Sequence, residues 1–168
     1  MVKKEYICEP GKKSKVVIED ISIEIKEGAS FIVSFTGVGL IGPIIANTLI
    51  DQIEDIQEIG FITSEFLPPI TPFYNGILKH PFKIYYSAKH DLIVALCEVP
   101  FQIPSAYNDL SRTICNWALS EDVKAKELIT FQGIPKNEMI EEFPVYYASD
   151  EVIDSLEQDG LDNFEKGI

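Results

Sequence analysis

Positive charge is what this sequence lacks most. Against 27 aspartates and glutamates stand 14 lysines and arginines, a formal charge of −13 over 168 residues. Arg112 is the sole arginine. Such a chain repels polyphosphate backbones and anionic lipid surfaces, so no nucleic-acid partner and no membrane partner are expected. A site for phosphates or carboxylates also wants the bidentate fork of arginine, which is almost missing here. Long apolar runs are absent as well. None approaches the roughly 18 residues that a transmembrane helix requires. The basic stretch Met1–Lys15 is not followed by the apolar run of a secretory signal, so a cytoplasmic protein is expected. Cysteine is sparse: Cys8, Cys97 and Cys115 are an odd number at wide spacings. That excludes a disulfide framework and a CxxC zinc site, and predicts reduced thiols with two or more in the core. The only histidines are His80 and His90. No Ser/His/Asp relay can be assembled from them, and no His/Cys/Asp/Glu cluster has metal-ligand spacing. No metal and no cofactor are expected.

What is present suits a globular α/β domain spanning residues 1–168. Hydrophobic residues make up 46% of the chain, and a chain of this length buries about 70% of its unfolded surface. Val16–Ile25 mixes β-branched residues in partial alternation, as a strand with one wet face does. Phe31–Thr36 reads as an inner strand. Gly37–Gly42 breaks it, and Ile44–Glu54 follows as a helix whose wide apolar stripe predicts good burial. Glu58–Thr63 is the next strand, and Ser64–Pro72 a proline-restricted loop. Phe73–Leu78, with a turn at Asn75-Gly76, begins a hairpin-like excursion that returns through Phe82–Ser87. Asp91–Val99 is the clearest inner strand. A helix capped by Ser105 then runs to about Leu119, with Leu110, Ile114 and Trp117 or Ala118 on one face. Glu127–Gln132 and Val145–Ala148 are strands, and Glu151–Gln158 is a last helix, acidic and capped by Ser149-Asp150. Strand and helix in alternation predict a three-layer fold, a mostly parallel mixed sheet flanked by helices.

In such sheets ligands gather beyond the carboxyl ends of the strands. Those ends carry Thr36-Gly37, Ser64-Glu65, Glu98 and Gln132-Gly133. Gly37-Val38-Gly39-Leu40-Ile41-Gly42 fits GxGxxG between a strand and a helix, the context in which a helix N-terminus attracts pyrophosphate. Glu65 comes late for a ribose contact, and Pro43 removes an N–H. A glycine turn for strand–helix packing and an exposed apolar docking loop are the other readings. Glu65 and Glu98 could form an acid/base pair, or each could cap loop amides. Cys97, in mid-strand, reads as inert core. The apolar loop Phe66-Leu67-Pro68-Pro69, continuing to Phe73, must pack on its own domain or cover a partner.

Taken in order, FTGVGLIG (35–42), SEFLPP (64–69), YNGIL (74–78), DLIVALCEVPF (91–101), ITFQGI (129–134) and VYYAS (145–149) resemble the proteasome assembly chaperone family, archaeal branch. The resemblance covers roughly Phe31–Ser149. It implies an α/β fold related to purine nucleoside phosphorylases, a homo-oligomer, and non-catalytic binding of proteasome subunits or another protein. Some archaeal members are labelled ATP-grasp-like enzymes, a label the missing basic phosphate cradle does not favour. The resemblance also implies that a C-terminal segment of the family is lacking. The chain ends Lys166-Gly167-Ile168, without the hydrophobic-tyrosine tail of members that dock on the proteasome. The binding rim or interface is therefore expected at Gly37, Val38, Gly39, Leu40, Gly42, Ser64, Glu65, Phe66, Leu67, Pro68, Pro69 and Glu98. The competing expectation is a small-molecule hydrolase, or a nucleotide-binding enzyme, using the same rim.

Overall fold

Runs of β-branched and aromatic residues form the strands, and the two longest stretches with 3.6-residue periodicity form the helices. The structure, a computed structural model, describes residues 4–6, 13–101, 103–136, 144–149 and 162–163. The chain divides into two compact units, Met1–Ile134 and Pro135–Ile168. The first unit contains β1 (Lys4–Tyr6), β2 (Ser14–Ile18), β3 (Ser30–Ser34), α1 (Ile41–Gln52), β4 (Gln57–Ser64), β5 (Phe73–Tyr74), β6 (Ile77–Leu78), β7 (Phe82–Ser87), β8 (Leu92–Cys97), α2 (Pro104–Ala118) and β9 (Glu127–Thr130). In the second unit, β10 (Tyr146–Tyr147) pairs in parallel with β11 (Asp162–Asn163).

Seven strands make one mixed sheet in the order β1-β2-β4-β7-β8-β3-β9. The fold is α/β, as expected, but the parallel share is smaller than expected. Only β3 is paired in parallel, with β8 on one side and β9 on the other. The β1–β2, β2–β4, β4–β7 and β7–β8 pairs are antiparallel. The reason lies in the connections: β7 reaches β8 through a short turn, which permits only antiparallel pairing, whereas β8 reaches β9 through α2.

Side-chain alternation divides the core into two layers. Phe31, Val33, Ile93 and Ala95 face α2, where Ala106, Leu110, Ile114 and Trp117 are buried. Trp117 meets Phe31 edge-on at 5.4 Å between ring centroids, and each such ring removes about 150–250 Å² from water. Ile32, Val94 and Leu96 face α1 and pack on Ala46.

Several boundaries differ from the sequence expectation. The strand at Val16 ends at Ile18, and Ile21 is exposed while Ile23 and Ile25 lean on the core. β1, whose three residues KEY carry no periodic signal, forms by pairing with β2. Helix α1 starts at Ile41, three residues early, and is not well buried: only Gly42 and Ala46 are fully covered. Helix α2 takes Pro104 in its first turn, after Ile103, with no side-chain cap from Ser105. Proline is tolerated there because its missing N–H would have had no partner. Cys97 is buried, but Cys115 is exposed; Cys8 lies outside the described residues. So do the helix expected at Glu151–Gln158 and its acidic face.

Candidate functional site

Because β4 and β8 flank β7 antiparallel to it, β4, β8, β3 and β9 all end on the same edge of the sheet. That edge therefore carries Ser64-Glu65, Glu98, Thr36-Gly37 and Gln132-Gly133, in that spatial order. The rim residues divide into two groups.

The polar group is held by its own chain. Glu65 pairs with Lys13 at 2.7 Å, and its amide donates to the Lys13 carbonyl. Glu98 pairs with the buried Lys83 at 2.7 Å, and its amide donates to the Pro81 carbonyl. Glu65 and Glu98 follow β4 and β8, which β7 separates, so two strand spacings of roughly 5 Å each lie between them. Each carboxylate thus has its own lysine rather than the other as neighbour. The Ser64 hydroxyl accepts from Ser14 Oγ at 2.8 Å and from the Phe66 amide at 3.1 Å. His80 stacks on Phe61, and alternation along β4 puts Phe61 and Ser64 on opposite faces of the sheet. Burial pushes the Cys97 thiol up to about 12, so it holds its proton. Among the described residues no group of three or more metal-ligating side chains exists.

The apolar group is open. After β3 the chain makes a short 3-10 turn at Val38–Leu40 and enters α1 through Leu40, whose φ of 55° is left-handed. Only glycine adopts that region freely; leucine there costs about 1–2 kcal/mol. Strained non-glycine residues persist where the surroundings hold them and collect at functional sites. The holding contact comes from Gly133, where an added Cβ would stand 2.3 Å from the Val38 carbonyl oxygen. The loop after β9 therefore lies directly on this turn. Leu40 is 53% exposed and Ile44 56%, with Val38 and Ile41 also exposed. Gly37 and Gly39 are exposed, Gly42 buried.

Beside this knob, on the α2 face, runs a groove of about 490 Å³ lined by Val33, Phe35, Val38, Tyr107, Leu128 and Phe131 among others. Of its lining rings, Phe35 lies 6.5 Å from Tyr107 and packs behind the groove on the buried Phe82 at 5.6 Å and Phe101 at 6.0 Å. Ile41 is exposed, in line with the docking-loop reading of Gly37–Gly42, whereas Ile44, expected in the buried stripe of the helix, and Tyr107 are exposed without a sequence signal; Phe35 is half-buried and packs on the core. With α1 starting at Ile41, positions 41, 44 and 48 share one exposed face. Of the second expected loop, Phe66 and Leu67 are half-buried and pack on the core, Pro68 is half-buried, and Pro69 and Ile70 are exposed.

The rim of this α/β sheet thus presents exposed apolar surface beside two carboxylates, Glu65 and Glu98, that are each paired with a lysine. The chain belongs to the PAC2 family, whose pattern it matches over residues 31–168. No curated protein sequence matches it. Among solved structures it is similar to Pyrococcus furiosus PbaA, an archaeal homolog of proteasome-assembly chaperone, with a TM-score of 0.77 and 28% identity over 93% of this chain and 62% of that one. A Thermoplasma acidophilum protein of unknown function gives a TM-score of 0.69 and 29% identity over 84% of this chain and 57% of that one. Pyrococcus furiosus PbaB, an archaeal proteasome activator, shares the fold at 18% identity, with a TM-score of 0.61 over 78% of this chain and 55% of that one. The chain thus spans a little over half the length of these relatives.

Proposed function

We propose that this chain is a cytoplasmic, non-catalytic protein-binding module that self-associates and handles proteasome subunits during assembly. Membership of the PAC2 family and likeness to a homolog of a proteasome-assembly chaperone support the class of partner. The observation that carries the reading is the apolar knob Val38-Leu40-Ile41-Ile44, exposed at the sheet rim and held there through a strained leucine. No charged residue occurs between Gly28 and Ile50, so the knob buries in a partner without stranding a charge. The net charge of −13 favours the approach of a basic partner. Among the described residues no helix is long and apolar enough to cross a membrane.

Binding of the purified chain to the proteasome subunits of its own organism tests this directly. Wild type is expected to bind in calorimetry or pull-down. Leu40→Asp and Ile44→Asp are expected to weaken binding at least 30-fold, about 2 kcal/mol, with melting temperatures unchanged within a few degrees. Absence of wild-type binding, or binding untouched by both substitutions, overturns the proposal.

A further inference from the structure

The loop Pro69–Pro72 and the β5–β6 hairpin form a second exposed apolar surface, separate from the knob. Phe73 and Leu78 pair across the hairpin and are each 68% exposed; Ile77 is 60% exposed and Ile70 55%. Asn75-Gly76, with φ of 48° and 81°, makes the tight turn, the geometry that Asn-Gly favours in two-residue hairpins. Phe73 and Leu78 share one face, and Ile77 points to the other. Among the described residues these two strands pair with each other alone. A lone two-stranded hairpin is marginal in water, and one that is apolar on both faces has every reason to be covered.

We infer that this hairpin arm is the surface through which two copies of the chain meet. The inference rests on the self-associating part of the proposed function and names its site. Charge selects the occupant. Residues 66–78 contain no Asp, Glu, Lys or Arg, in a chain of net charge −13. The two charges bracketing the arm are neutralised within the chain: Glu65 by Lys13 at 2.7 Å, and Lys79 by Glu58 at 2.7 Å. Two like-charged copies repel over most of their surface, so they approach most readily through a neutral face. Area agrees. At about 200 Å² per large side chain, the exposed fractions amount to roughly 500 Å² per copy and ~1,000 Å² between two, where a specific interface begins. Arm against arm is self-complementary about a two-fold axis, the commonest arrangement of identical chains.

Sedimentation velocity of the full chain from 0.5 to 50 µM provides the test. Wild type is expected to sediment as a dimer or larger. Phe73→Asp and Leu78→Asp are each expected to raise the dissociation constant at least 100-fold and yield monomer. Leu119→Asp adds the same charge at an exposed leucine on α2's end and is expected to leave the mass unchanged. Should either arm variant fail to fold, Ile77→Cys in a Cys115→Ser background keeps the test alive: a short bis-maleimide is expected to link its copies, and not those of Lys89→Cys. A wild-type monomer at 50 µM overturns both the arm and the self-associating reading. An oligomer that survives the arm substitutions, or Ile77→Cys that resists cross-linking, overturns the arm alone. Arm variants that keep their mass but lose proteasome subunits likewise overturn it, assigning the arm to a different partner.

Discussion

Lys83 and Glu98 form the most enclosed ion pair in the described chain, 2.7 Å apart with side chains 4% and 13% exposed. Sequence alone offers Glu98, at a strand end, as one of an acid/base pair with Glu65 or as a cap for loop amides. It gave no way to see that Lys83, one strand over, would be folded in beside it. Burying two charges is expensive, and their attraction repays the cost only while both are present. Lys83→Met is therefore expected to destabilise the fold by up to about 3–5 kcal/mol, because the largely enclosed Glu98 carboxylate loses the cation 2.7 Å away. The double substitution Lys83→Met/Glu98→Leu is expected to recover most of that loss. Urea denaturation of the three proteins checks both. A double variant no more stable than the single one would assign the effect to lost packing rather than to the stranded charge.

His80 ties the hairpin arm to the main sheet at the element scale. Its ring stacks on Phe61 at 4.3 Å, and its Nδ1 accepts from the Phe82 amide at the start of β7. Burial lowers its pKa, outweighing the opposite pull of the Phe82 backbone and of Glu19 and Glu58. The folded state thus binds this proton less readily than the unfolded chain. The resulting stabilisation is present above the unfolded value near 6.5 and is lost as pH falls through the lower folded one. Wild type is expected to lose stability between pH 7 and 5. His80→Asn keeps an acceptor near Nδ1 without titrating, and is expected to show a flatter profile in urea midpoints over that range. Equal slopes would remove His80 from the account. At this scale the chain is partly readable: the Asn-Gly turn, β8 and the buried face of α2 stand where periodicity and turn residues predict them, whereas Phe82–Ser87, expected as the returning arm of the hairpin, pairs with β4 and β8 in the main sheet and leaves β5 and β6 to pair with each other. The start of α1 differs from the expectation because the glycines of Gly37–Gly42 and Pro43 are loop signals. The helix tolerates Gly42 and Pro43 in its first turn, which has no internal partner for its amides.

Across the whole molecule the dominant quantity is net charge. At −13, self-association works against repulsion, while capture of a basic partner works with attraction. Salt screens both, with a Debye length of about 10 Å at 0.1 M. Raising salt from 50 to 300 mM is therefore expected to tighten self-association in sedimentation and to slow association with proteasome subunits in stopped flow. Movement of both in the same direction would show that one of the two contacts is not electrostatically biased as described.

Composition, strand periodicity and turn chemistry by themselves determined the α/β class, the acidic solution character and the positions of most elements, because those depend on neighbours a few residues apart. The tertiary structure decided the rest. It paired β4, β7 and β8 antiparallel and so aligned four strand ends on one rim. It tied Glu65 and Glu98 to lysines far away in the chain. It left Ile44 in water, although the apolar stripe of its helix predicts burial, and of the two loops that could cover a partner it exposed Leu40 while packing Phe66 and Leu67 on the core. A side chain's burial is set by what packs across from it, and that is fixed by contacts between elements distant in sequence.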